Sequence, residues 1–430
     1  MTPCVENKIF SCVVNNSQIF GNKKVFSYRV ILDADLWMGG AVMYTVLRII
    51  LLTLWGILAF NTWGKAQDFQ TSASQVLLLD DETETILYEK QSDIHFFPAS
   101  LAKLMTAEVV FHQLKEGLLK NTQKFKVSEN AWRKGGAPSG TTTMFAKIKT
   151  EISVSDLLRG LIIVNGNDAA IILAEGISGD EAHFAQLMNQ RAKIIGLSQS
   201  HFVNATGLPE EGQFVTARDM IILARHIVQE YPDYYALYRQ PHFTWNNIFQ
   251  RNKNPLVSKE IGVEGFGFGY SEKEGFSMVA TIYKNHQRLF LAINGLQDGK
   301  KHTTEIERIL QWGITAFDLK TIFTKGERVG RASVYGGKKS FVPLIVKKPI
   351  SFMLSNEKEV NVKAKIKYHG PLKAPIVSGQ PVGVIQILED NKVLLEKPVF
   401  AEVNVQKGSF FTKVKDAFYE ITIGWLRKYF

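Results

Sequence analysis

The sequence predicts an α/β sandwich with a helical insert, followed by a small all-β domain and a C-terminal amphipathic helix. Three observations predict it. Strand-like runs near Gln75 and again near Ser277 enclose a helical middle, the pattern after Thr324 becomes alternating, and the final residues carry apolar side chains at steps of three and four.

Taken in order, "QVLLLDDETETILYEK" from Gln75 reads as two β-like runs about a turn, and 100–117 as an apolar helical stretch. Helices are expected around 153–163, 168–175, 181–195 and 216–229. The β-like runs "FSMVATIY" and "RLFLAINGL" follow, then a helix through "TTEIERILQWGITAF", giving a first domain over 67–324. In "VNVKAKIKYHG", Val360, Val362, Ala364, Ile366 and Tyr368 alternate with polar residues, the period of a half-buried strand. Turns at "YGGKK", "YHGPLK" and "VSGQPVG" separate further short strands, so 325–405 reads as an all-β domain without clustered acids, histidines or hydroxyls.

The ends differ from both domains. The longest apolar run, 49–60, follows Arg48 and precedes small residues at Gly64 and Ala66. Its length suits a signal-peptide core and is too short for a span, so 43–66 reads as a signal peptide cleaved after Ala66; an uncleaved anchor is the alternative. A start at Met43 would make that leader conventional, which leaves 1–42 as an extension outside the native product. Both cysteines, Cys4 and Cys12, lie in that extension, so no disulfide, thiol nucleophile or zinc–thiolate site is expected in the rest. At the other end, within 406–430, Phe411, Val414, Phe418, Ile421 and Trp425 line one helical face, with Lys413, Asp416, Glu420 and Arg427 mostly opposite. Such a helix can lie in a membrane interface; docking on its own protein is the alternative.

The chain has 430 residues, 45% of them hydrophobic and 21% charged, as expected of a globular protein with room for two domains. Its net charge of +10 comes from scattered lysines and arginines without a basic, aromatic-interleaved patch, which favours a solvated or membrane-facing surface over nucleic acid. The glycine-rich stretch "GVEGFGFGYSEKEG" leads into a β-rich run instead of a helix, so it is not a phosphate cradle; glycines at a bend between strands fit it better.

Two constellations can carry chemistry. Ser100 opens a helix and Lys103 lies three residues on, so both project from one helical face. The helix N-terminus favours negative charge on the serine oxygen, and the neighbours Leu101, Ala102, Leu104 and Met105 give Lys103 an apolar setting that depresses its pKa toward that of a usable base. A Ser-x-x-Lys match arises about twice by chance in a chain of this length, so the pair alone decides nothing. In "VNGNDAAIILAE", Asn165, Gly166 and Asn167 form a turn between helices, where Asn167 is either a functional side chain or the cap of the following helix.

Together, "PASLAKLMTAE", "LLRGLIIVNGNDAA", "HFVNATGLPEEGQFVTARDM" and "GVEGFGFGYSEKEGFSMVAT" closely resemble the D-alanyl-D-alanine carboxypeptidases, which are low-molecular-mass penicillin-binding proteins related to serine β-lactamases. The resemblance runs from about residue 70 to the C-terminus. It implies a β-lactamase/transpeptidase-like sandwich of an antiparallel sheet and helices. It also implies that terminal D-alanine is removed from peptidoglycan pentapeptides through an acyl-serine, with β-lactams as inhibitors and without metal or organic cofactor. The location implied is the periplasmic face of the bacterial inner membrane.

Residue by residue, the resemblance makes Ser100 the nucleophile and Lys103 its base. Asn167 matches the asparagine of the family's Ser-x-Asn motif, while Asn165 replaces the serine and cannot shuttle a proton as a hydroxyl can. The Lys-Thr-Gly motif falls on Gly267, Phe268 and Gly269, so the lysine and threonine that help hold the substrate carboxylate are missing. Lys301 or His302 stands near a position where the family commonly has arginine. The oxyanion hole would use the N–H groups of Ser100 and Tyr270. Losing one or two charge-assisted hydrogen bonds at roughly 1.5 to 3 kcal/mol each cuts catalysis by about tenfold to somewhat over ten-thousandfold. A catalytically impaired scaffold that binds peptidoglycan, penicillin or proteins is therefore the competing expectation, and a weak β-lactamase a third.

Overall fold

The computed structural model describes residues 9–14, 69–259, 261–297, 301–356, 362–389 and 392–422. The expected signal peptide lies outside these, as do all of the 1–42 extension except 9–14, Val360, and residues 423–430 with Trp425 and Arg427.

Five strands form the central sheet: β1 (Gln75–Asp80), β2 (Ile86–Lys90), β3 (Val263–Ser271), β4 (Gly275–Lys284) and β5 (Gln287–Leu296). Every pairing is antiparallel and the order is β2-β1-β5-β4-β3, so the chain's first strands pair with its last and β3 is an edge. Alternate residues enter two cores. Leu77, Leu79, Val279, Phe290 and Ala292 pack into one, while Val76, Leu78, Met278, Ala280 and Leu291 pack into the other. A sheet covered on both faces explains why these strands are apolar throughout instead of alternating.

The first core lies under helices α1 (Ala102–Lys115), α2 (Val154–Ile162), α3 (Asn167–Ser178), α4 (Glu181–Ile195) and α5 (Ala217–Glu230). Side chains of Ser153, Asp180 and Thr216 accept the N–H three residues ahead and start α2, α4 and α5. α1 is buried along Ala102–Phe111, as its apolar sequence requires of a central helix. The second core is closed by α6 (His302–Thr315). Gly313 lets α6 lie close, because a Cβ there would stand 2.7 Å from Leu78 Cδ2.

The expected helices and strands all occur, with ends shifted by a few residues. The glycine-rich stretch is the exception. Gly265, Gly267 and Gly269 lie inside strand β3, and the turn falls at 272–274, so they do not form a bend.

The all-β region has its own core of Val342, Leu344, Ile366, Ile385, Ile387 and Val399. Its strands begin at Phe317, before Thr324, because Phe317–Phe323 pairs with Ile350–Ser355. Ile9–Val14 runs antiparallel to Val362–His369 at an edge of its larger sheet. The last helix, α7 (Phe410–Thr422), is held by Asp416, whose carboxylate accepts the Gly336 N–H at 2.8 Å. Phe410, Phe411, Val414 and Phe418 on α7 are exposed.

Candidate active site

Ser100 sits in a 3-10 turn, Ala99–Leu101, immediately ahead of α1, so the predicted helix begins two residues after it. The turn is held from outside. A Cβ on Gly207 would stand 1.7 Å from the Ala99 carbonyl oxygen, and Gly207 has φ +76°. Only glycine permits that approach. The Gly207 loop is organised by buried Asn204, whose Oδ1 accepts from the Thr206 N–H, the Thr206 hydroxyl and the Gly207 N–H. The "HFVNATGL" segment thus shapes the turn that carries Ser100.

Lys103 follows one turn along. Its Nζ donates to Ser100 Oγ at 3.0 Å and to the Thr206 carbonyl at 2.8 Å. The side chain is only 4% exposed. Burial pulls its pKa down to about 7, against the opposing pull of the Asp168 carboxylate. A lysine in this state is a neutral amine in part of the population at neutral pH, within reach of a serine proton.

The Asn165–Asn167 turn forms the next wall. Asn165 has φ +60°, a conformation asparagine tolerates, and its carbonyl accepts from Thr142 Oγ1 at 2.8 Å. Asn167 is the first residue of α3 and does not cap it; Gly166 is the cap position, without a side-chain bond. The Asn167 Nδ2 instead donates to Thr141 Oγ1 at 2.9 Å, and Oδ1 is buried without a partner among the described residues. Asp168, unnoticed in the sequence, is fully buried. Its carboxylate accepts from Thr143 Oγ1 and from the N–H groups of Met144, Ala146 and Ala169, tying the 141–146 loop to α3. An acid in the first turn of a helix was the available signal.

Strand β3 supplies the third wall. A Cβ on Gly269 would stand 2.8 Å from the Pro98 oxygen and 3.1 Å from Ala99 Cβ, so the strand backbone presses on the turn that carries Ser100. Ser100, Asn167 and Tyr270 line one cleft of about 970 Å³. Ser100, Lys103, Asn165, Gly267 and Phe268 line a smaller pocket beside it, together with Lys253, which sequence reasoning missed. The two remaining predicted residues stand farther along. Lys301 precedes α6, and the His302 ring stacks on Phe276 at 4.3 Å, lining an adjoining cavity with Phe268 and Lys253.

A serine whose hydroxyl meets a buried amine, beside the edge strand of a sheet, can carry acyl transfer through the serine. Residues 62–297 match the family model described as D-alanyl-D-alanine carboxypeptidase, more than half of the chain. The chain belongs to the D-alanyl-D-alanine carboxypeptidase family. Residues 317–407 match the C-terminal domain of penicillin-binding protein 5. Among the relatives of this family, the chain is 33% identical to the carboxypeptidase DacA of Haemophilus influenzae, over 81% of this chain and 88% of that one. It is 34% identical to DacC of Escherichia coli, over 79% and 86%. The solved penicillin-binding protein 5 of Haemophilus influenzae superposes with a TM-score of 0.69 at 32% identity, covering 79% of this chain and 99% of that one.

Proposed function

We propose that this protein removes the terminal D-alanine of peptidoglycan pentapeptides. Ser100 attacks the carbonyl of the penultimate residue, Lys103 takes the hydroxyl proton and passes it to the leaving amine, and water then releases the acyl-serine. The observation that carries this reading is the 3.0 Å contact between Ser100 Oγ and an amine whose pKa burial brings to about 7. β-Lactams acylate the same serine, because their strained amide mimics the peptide bond attacked.

The protein works outside the cytoplasm at a membrane surface. The apolar run at 49–60 supports export. On α7, Asp416 bonds Gly336 while Phe410 and Phe411 stay exposed, which leaves an aromatic face for the lipid interface. Among the described residues no helix is long and apolar enough to cross a membrane.

The test is a fluorescent penicillin with wild type and Ser100→Ala, alongside D-alanine release from a pentapeptide. Covalent labelling and release are both expected of wild type and neither of the variant. Release no faster than from Ser100→Ala would replace this reading with a non-catalytic scaffold.

A further inference from the structure

The pocket beside Ser100 has one wall without a role so far. Lys253 follows the hairpin His242–Trp245/Ile248–Arg251, and its N–H bonds the Ile163 carbonyl at 2.9 Å, two residues before Asn165. That bond fixes it against the same pocket as Ser100, Lys103 and Gly267. Asn254, next in the chain, lines the pocket too and is 3% exposed. Its Oδ1 accepts the Leu256 N–H, but its Nδ2 is buried without a partner among the described residues. A buried amide donor left unpaired is costly, and a ligand acceptor removes that cost.

The opposite wall is open. A Cβ on Gly267 would meet nothing within 4 Å, so the wall is open at that position of β3. Phe268, also on that wall, offers no donor. Of the two lysines lining the pocket, Lys103 is engaged with Ser100 and Thr206, which leaves Lys253 to meet an anion. A peptide cleaved at Ser100 with one residue beyond the scissile bond places its terminal carboxylate within a few bonds of the serine.

We infer that Lys253, with Asn254 Nδ2 beside it, holds the terminal carboxylate of the substrate in this protein. This rests on the carboxypeptidase reading above. The cation comes from the segment after the hairpin, and the strand contributes only backbone.

The experiment compares one pentapeptide as its free acid and as its C-terminal carboxamide, on wild type, Lys253→Ala and Lys253→Arg of the full chain. Wild type should prefer the acid in kcat/KM. In Lys253→Ala the preference should fall about ten- to hundredfold, and Lys253→Arg should retain most of it. The preference is a ratio, so general damage to the fold lowers both rates and leaves it unchanged. Where turnover is slow, the rate of Ser100 acylation by a penicillin and by its methyl ester supplies the same ratio. An unchanged preference in Lys253→Ala, or equal losses on both forms, overturns the assignment while the carboxypeptidase reading stands. A wild type that cleaves neither peptide and takes no penicillin overturns both.

Discussion

The Lys103 amine lies 3.0 Å from the Ser100 hydroxyl while the same Nζ donates to the carbonyl of Thr206 at 2.8 Å. Two neutral oxygens thus hold a group that burial pushes toward neutrality. The rate of penicillin acylation should therefore rise with pH through about 7, as Lys103 loses its proton, and level off above. Stopped-flow labelling across pH 5 to 9 measures it; a flat profile would remove Lys103 as the base.

The same depression affects stability. Its folded pKa is about 7 against the ordinary lysine value of 10.5, so between these the unfolded chain binds the extra proton. Unfolding free energy contributed by this residue must rise with pH across that window. Lys103→Met should be more stable than wild type at neutral pH and show a shallower rise toward pH 10, as read from thermal melts.

Asp168 raises the Lys103 pKa by its charge. In Asp168→Asn that support disappears, so the rising limb of the acylation profile should move to lower pH. The variant also puts an NH₂ against the donors that the carboxylate oxygens accept, costing about 1–3 kcal/mol in melting free energy. A limb that stays in place would show that the two groups are not electrostatically coupled.

Gly207→Ala should be damaging through the turn that carries Ser100. Its methyl would overlap the Ala99 carbonyl, and its φ of +76° is strained for alanine. We expect at least ~2 kcal/mol of destabilisation and strongly reduced labelling of Ser100, measured by denaturant melts and fluorescent penicillin.

The double variant Gly267→Lys, Phe268→Thr should raise pentapeptide kcat/KM by about tenfold, since position 267 has open space for a lysine stem. Unchanged or lower activity would mean that this strand is not a weakened carboxylate site.

Deleting 410–430 should release the protein from anionic vesicles, because the exposed Phe410, Phe411 and Phe418 leave with it. Unchanged vesicle binding in flotation assays would assign α7 to docking alone.

The helices, the strands and the Ser100–Lys103 pair were legible in the sequence, because periodicity and an i, i+3 spacing are local. The resemblance placed Asn165, Asn167 and the Gly267–Gly269 strand around them. What remained hidden was non-local. Thr206 reaches Lys103 from 103 residues away, and Lys253 reaches the pocket from a segment whose own sequence has no motif. Asn167 reads locally as a helix cap, yet the folded loop 141–146 supplies its partner at Thr141. Above all, sequence names Lys103 as a candidate base, whereas the tertiary structure sets the proton affinity that the role requires. That affinity depends on burial and on the charge of Asp168, and both exist only once the chain has closed around Lys103.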